Sequence, residues 1–257
     1  MNTSKPIRNT LGSAICRIAV IAAACIFSST AAYAMNCEAG EAINAHYQVS
    51  ERAENAKPKT LANMVLWRRA NSVAEQYPEK GITELWERNH ASAIKLNRYF
   101  DVYERGIEYA PSDIKGVKSD DDWSMKTQLI ANSLLAKMTL NKKTGKACER
   151  EETYTLKDKS QTVTVTWLPA YKLVKEYQRE ANGHTSIWSL TEKSTDSKMV
   201  NAFFDKHLNY PTTDYADIGD SESDPFIRKM INIGFIEHGS SGMYDAQGND
   251  IGGEHHH

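Results

Sequence analysis

Apolar residues recur every seven positions between residues 86 and 107, and no other pattern restricts the fold of this chain as strongly. Trp86, Ala93, Phe100 and Ile107 share one seam; Asn89, Leu96 and Tyr103 share the adjacent one. Two seams at this spacing predict an amphipathic helix with a single buried stripe. Glu84, Glu87, Arg88, Lys95, Arg98, Asp101 and Arg105 fall off the stripe and read as its solvated side. Glu84–Arg88 and Asp101–Arg105 stand at i,i+4, a spacing worth about 0.2–0.5 kcal/mol per pair on a helix. An aromatic stripe of this kind is more often core than a cofactor pocket, and it is read as core here. Upstream, Thr60 as a cap and Leu61, Met64, Val65, Leu66, Trp67, Val73 and Tyr77 as apolar residues predict a helix over 61–77, ended by Pro78 and Gly81. The short connection between the two makes an antiparallel helical hairpin.

The rest of the chain divides by pattern. A short helix is expected at 40–53, before Pro58. Asp120-Asp121-Asp122 start a third helix, with Trp123, Leu129, Ile130, Leu134, Leu135 and Met138 as its apolar residues. The polar stretch from Asn141 to Lys146 reads as a turn. In "TVTVTW", Val163, Val165 and Trp167 alternate with threonines, the period of a half-buried strand. The segment Ala147–Leu156 pairs with it across "KDKSQ", which places Cys148 on a strand. Asn182-Gly183 marks a further hairpin. Asp196 caps a helix over 196–208, and Asp224-Pro225 start another that runs to Ile233 and stops at Gly234. The expectation is an α+β fold: an N-terminal helical hairpin plus a third helix, packed with an antiparallel β-hairpin region and C-terminal helices. Residues 35–257 form one domain, with a helical half at 58–140 and a mixed half at 146–251.

Residues 1–34 read as a leader. Lys5, Arg8 and Arg17 are its only charged residues, an apolar run extends from Ile18 to Phe27, and Ala32-Tyr33-Ala34 supplies an A-x-A cleavage site. The apolar run is shorter than the roughly 20 residues a membrane-spanning helix needs. Cleavage after Ala34 makes Met35 the first mature residue and implies a periplasmic or secreted chain. A lipid-bearing Cys25 is the competing reading; it has Ala22 where a branched aliphatic residue is usual, and the A-x-A site follows it. The mature chain has 28 basic and 33 acidic residues, a mildly acidic balance with no basic footprint for nucleic acid. No later stretch is long and apolar enough to span a membrane. Cys37 and Cys148 survive cleavage, and two cysteines in an oxidising compartment predict one disulfide. It would close a loop of about 110 residues, worth roughly 4–5 kcal/mol by chain entropy.

The search for chemistry leaves one concentrated block. There is no H-E-x-x-H and no G-x-G-x-x-G; Gly239-Ser240-Ser241-Gly242-Met243 misses the nucleophile elbow at its last place, and Leu140 and Ala147 spoil a phosphate loop around Gly145-Lys146. Asp214, Asp217, Asp220, Glu222 and Asp224 crowd one loop. Oxygen ligands at this density suit calcium, but Pro225 and Ile231 occupy the sixth and twelfth places of the helix-loop-helix calcium pattern. Capping of the following helix by Asp224 explains the loop more simply. His238, with the turn from Tyr244 to Asp250, follows that helix. If the chain doubles back, Asp217, Asp220 and His238 border a polar cleft in which His238 is a base or ligand. Glu254-His255-His256-His257 is either a transition-metal tail or a tag remnant. Three functions follow in order: a non-catalytic binding protein for an envelope protein or surface component, a periplasmic hydrolase using His238 with nearby carboxylates, and a divalent-cation binder. No other cofactor is expected.

Overall fold

The computed structural model describes Met1 and residues 42–114, 117, 119–221 and 223–234. Among these, twelve strands form one sheet: β1 Ala42–Ala53, β2 Lys59–Arg69, β3 Ser72–Tyr77, β4 Ile82–Arg88, β5 Ile94–Phe100, β6 Arg105–Tyr109, β7 Thr139–Thr144, β8 Glu151–Lys157, β9 Gln161–Leu168, β10 Leu173–Ala181, β11 His184–Ser194 and β12 Thr212–Asp214. Four α-helices accompany it: α1 Asp120–Gln128, α2 Asn132–Lys137, α3 Ser197–Leu208 and α4 Pro225–Asn232. The strand order is β12-β6-β5-β4-β3-β2-β1-β11-β10-β9-β8-β7. Two antiparallel meanders, β1–β6 and β7–β11, therefore join where β1 pairs with β11. β12 runs parallel to β6 and covers that edge.

This architecture overturns the expected α+β fold with its helical hairpin. The segment 61–77 forms β2 and β3, reversed at Ala70-Asn71, with Ala70 in the left-handed region. The stripe from Trp86 to Ile107 is cut into β4, β5 and β6. Its turns are built by Asn89, whose Oδ1 accepts from Ala93 N at 2.9 Å, and by the Asp101–Glu104 reversal. The seven-residue recurrence has a physical cause other than a helix. Trp86, Phe100 and Ile107 reach one core face from three different strands, and Ala93 lies in the β4–β5 turn, so the recurrence arises from separate strands rather than from one helical stripe. Trp86 has Leu96 as its cross-strand neighbour, and Leu96 has Tyr109. The i,i+4 ion pairs do not form. Glu84 pairs with Arg98, Arg88 with Asp120 and Arg105 with Asp224. Two further expectations are corrected: 42–53 of the expected first helix is β1, and Asn141–Lys146 contributes to β7 rather than to a turn. Cys148 is buried, but in a 3-10 turn at Ala147–Glu149 that leads into β8, not on a strand. Cys37, the leader and the tail beyond Gly234 lie outside the described residues.

The two faces of the β1–β6 meander are both packed. The first face carries Ile43, Tyr47, Met64, Leu66, Val73, Trp86, Leu96, Phe100 and Ile107, joined by Phe226, Ile227 and Met230 of α4 and Ile218 of the loop before it. The second face carries Ala74, Leu85 and Tyr99 under Val200 and Phe204 of α3, whose Phe203 stacks on Trp67 at 3.9 Å. Gly106 lies across from Tyr99, and a Cβ there would come within 2.6 Å of the ring, so this strand position must be glycine. In the β8–β10 region, Val163, Val165, Trp167 and Val174 pack with Ile130 and with Leu134 and Leu135 of α2, while the threonines of β9 face the other way. Asn182 and Gly183, with φ of 51° and 75°, make the tight turn between β10 and β11.

Candidate functional site

The acidic loop and the site built around it in the sequence can be placed in part. Asp217 and Asp220 sit in consecutive 3-10 turns, Tyr215–Asp217 and Gly219–Ser221, and both are exposed. Asp214 caps the first turn by accepting from Ala216 N at 2.9 Å. Asp224 caps α4 by accepting from Phe226 N at 2.8 Å and pairs with Arg105 at 2.7 Å, which hold its carboxyl below the usual carboxylate range. Glu222 and His238 lie outside the described residues, so the grouping of Asp217 and Asp220 with His238 has no described geometry. Among the described residues, no cluster of three or more His, Cys, Asp or Glu is placed to hold a metal. A polar pocket of about 540 Å³ between the β1–β2 and β10–β11 turns is lined by Arg52, Glu54, Glu180 and Thr185.

The densest chemistry lies elsewhere, beneath α1. Two neighbouring rows cross the first face. One runs Ile43–Arg68–Val73–Trp86–Leu96–Tyr109 and the next Ala45–Leu66–Glu75–Glu84–Arg98–Ile107. The second row thus sets two carboxylates and a guanidinium in the apolar core. Glu84 Oε1 accepts from Arg98 Nε at 3.0 Å and Nη2 at 2.6 Å, with Glu84 0 % and Arg98 1 % exposed. Glu75 has no such partner within the sheet. Its partner comes from above: Lys126 of α1 donates to Glu75 Oε2 at 2.8 Å and lies 4.5 Å from the centre of the Trp86 ring. Burial pushes the Glu75 carboxyl above the usual carboxylate range; Lys126 draws it down and Glu84 pushes it further up.

Why α1 forms is clear from its ends. Ser119 and Asp122 make a reciprocal capping box, and Asp120, Asp121 and Asp122 complement the positive helix start. Leu129, in the left-handed region, ends it. How α1 docks is unusual. An amphipathic helix normally buries an apolar stripe. The residues that α1 buries are Ser124, Lys126 and Gln128, all polar. Trp123 reaches the core only in part. The helix is held by Lys126 on Glu75, by Arg88 on Asp120 at 2.5 Å, and by Arg68, which donates to Thr127 O at 2.6 Å. The same guanidinium donates to Tyr171 O at 2.6 Å and Lys172 O at 3.1 Å in the β9–β10 turn. Burial lowers the pKa of Arg68 and raises that of the neighbouring Tyr47, whose hydroxyl donates to Val174 O at 2.7 Å.

A second polar chain crosses the other face. His207 Nε2 lies 3.2 Å from Asp101 Oδ1 and its Nδ1 lies 2.8 Å from Phe203 O; Thr83 donates to the other Asp101 oxygen at 3.0 Å. Both imidazole nitrogens are therefore occupied, and the dyad orients α3 rather than presenting a free base. The sequence reading missed Arg68, Glu75, Glu84, Arg98 and Lys126 because it placed Glu84 and Arg98 on a solvated helix side. The available signal was a charged residue at the centre of an apolar run, as in Ile82-Thr83-Glu84-Leu85-Trp86.

No protein-family model matches the sequence, and no curated protein matches it. Among solved structures, a structure of PNGF-II is 12 % identical, with 70 % of this chain and 33 % of that chain covered and a TM-score of 0.35. The MucA/MucB complex of Pseudomonas aeruginosa gives 11 % identity, 64 % and 57 % coverage and a TM-score of 0.32. A DUF1329 family protein from Desulfovibrio piger gives 8 % identity, 65 % and 91 % coverage and a TM-score of 0.31. This chain thus spans a third of the first and little more than half of the second. At these values none of the three carries a ligand or an activity across.

Proposed function

We propose that this chain is an exported binding protein of the cell envelope that receives an apolar ligand on the first face of its sheet, with α1 as the element that moves aside. One observation supports the reading: a helix whose buried side chains are all polar lies on a face where apolar residues surround the buried Glu75, Glu84 and Arg98. Separation of such a helix lets its own groups return to water at little hydrophobic cost, since apolar burial is the term that scales with area. The sheet beneath is left with apolar surface, which a ligand can cover. Native-state hydrogen exchange tests this. The amides of α1 are expected to exchange through a local opening, at denaturant concentrations where β3–β5 remain protected. Exchange of α1 only through global unfolding would overturn the proposal. Export and the staple belong to the same reading. Intact mass from the envelope fraction should begin at Met35, and non-reducing peptide mapping should recover a Cys37–Cys148 pair. Full-length cytoplasmic protein, or thiol labelling of both cysteines in the oxidised protein, would contradict them.

A further inference from the structure

The polar pocket between the β1–β2 and β10–β11 turns lies on the threonine side of the sheet, away from α1, and strand register builds it. Arg52 of β1 stands opposite Thr185 of β11, Thr185 opposite Glu180 of β10, and Glu180 opposite Thr162 of β9. Cross-strand partners share a face, so Arg52 and Glu180 flank Thr185 from its two sides. Neighbouring strands lie about 4.8 Å apart, which sets the Cα atoms of Arg52 and Glu180 about 9–10 Å from each other. A third charge comes from the β1–β2 turn. Glu54 N donates to Gly183 O at 2.8 Å and ties the two turns together. Glu54 Oε2 lies 3.7 Å from the point where a Cβ on Gly183 would stand, so this carboxylate is held over the β10–β11 turn. One guanidinium, two carboxylates and the hydroxyl of Thr185, itself 7 % exposed, thus surround a cavity of about 540 Å³. Small-molecule sites occupy roughly 300–1,000 Å³. Among the described residues, the side chains of Arg52, Glu54 and Glu180 enter no ion pair and no hydrogen bond. Their neighbours on the opposite face do find partners: Glu51 lies 3.3 Å from His184, and Arg179 donates to Gln161 at 2.6 Å. Opposite charges that line one cavity and stay apart are open to a ligand that meets both.

We propose that this pocket binds a small diamino acid, or the end of a short peptide that presents the same groups. Arg52 receives the carboxylate, and Glu54 and Glu180 receive the two ammonium groups. The class is singled out by charge. A guanidinium is a planar fork of donors that fits a carboxylate, and a carboxylate only accepts, which suits an ammonium. One positive and two negative groups are then matched one for one. A neutral sugar leaves all three unmatched, and a simple anion on Arg52 faces two carboxylates. The proposal stands apart from the apolar ligand of the α1 face, because it uses the other side of the sheet.

The test is calorimetric titration of the full mature chain at low salt with four probes: lysine, the dipeptide Ala-Lys, cadaverine and norleucine. Lysine is expected to bind about tenfold tighter than cadaverine, which lacks the carboxylate, and than norleucine, which lacks the side-chain ammonium. That factor is the gain from one hydrogen bond to a charged group. Arg52→Gln should weaken lysine about tenfold and erase its advantage over cadaverine. The Glu54→Gln, Glu180→Gln pair should erase the advantage over norleucine. All three side chains are exposed, so both variants should keep the wild-type melting temperature. Within the proposal, tighter binding of Ala-Lys than of lysine identifies a peptide end as the source, and weaker binding identifies the free amino acid. Equal binding of lysine, cadaverine and norleucine, or a lysine affinity that survives Arg52→Gln, would overturn the site. So would a failure of both lysine and Ala-Lys to bind, which leaves three solvated charges and does not touch the reading of the α1 face.

Discussion

The β1–β6 meander and the β8–β10 region are cut from the same sheet, yet they speak differently through their sequences. In β4, Ile82 to Trp86 are five consecutive buried residues, and in β5 only Lys95 among seven escapes burial. In β9, buried Val163, Val165 and Trp167 alternate with half-exposed threonines. The cause is the number of covered faces. α4 and the loop before it cover one side of β5–β6 and α3 covers the other side of the meander, whereas among the described residues no helix packs on the threonine side of β9. Alternation is a property of a sheet with one wet face. Where both faces are dry the period of two disappears, and apolar runs between turns imitate helical spacing.

Four substitutions probe this contrast, beginning with the largest effect. Phe100→Ala in the doubly covered meander should cost about 3–5 kcal/mol, because its ring is buried with its centre 5.4 Å from that of Phe226. Urea unfolding measures it, and a loss below 1 kcal/mol would mean this half is loosely packed. Arg98→Met should cost a comparable 3–5 kcal/mol or so by leaving Glu84 charged in the core, while the Glu84→Leu, Arg98→Met pair should return to within about 1–2 kcal/mol of wild type. A double variant as damaged as the single one would show that the pair is required for more than charge balance.

The third test is smaller and depends on pH. The Glu75 carboxyl ordinarily titrates near 4.5, and burial raises it in the folded chain. A raised acid contributes stability that is fully present below its unfolded value and is lost as pH rises through the folded one. Wild type and Glu75→Gln should therefore differ least near pH 4, with wild type falling behind the variant as pH increases. If wild type instead gains on the variant with rising pH, attraction to Lys126 outweighs burial. Thr164→Ala, on the uncovered side of β9, should change stability by no more than about 0.5 kcal/mol. A cost of several kcal/mol there would mean that this face is covered in the folded protein and that the contrast fails.

Legibility in the sequence follows the same division. The hairpin at Asn182-Gly183, the strand at TVTVTW and the helices capped by Asp196 and Asp224 could be read because local chemistry decides them: a turn residue, an alternation, a cap. β2 to β6 could not, because their partners on both faces are remote in sequence and mask the local signal. The site under α1 was illegible for a related reason. Glu75 and Glu84 are ordinary surface residues in a helical reading, and only the strand register makes them neighbours. Lys126 reaches Glu75 from 51 residues away. Asp217 and Asp220, prominent by density in the sequence, turn out exposed because loop carboxylates cluster where helices and turns need starting.

The seam between β1 and β11 carries a consequence for how the chain reaches this state. Tyr47 is paired with Leu190, so one edge of the first strand waits for residues made more than a hundred positions later. The meander from β1 to β6 closes through nearest neighbours, and so does the one from β7 to β11. Their union is the step of greatest sequence separation, the kind that slows assembly. A chain delivered N-terminus first holds out a twelve-residue strand with the backbone donors and acceptors of one edge unanswered until β11 has arrived. During that interval the open edge is a template for other chains. The price of building one continuous sheet from two meanders is thus a period of exposure of the β1 edge during biogenesis.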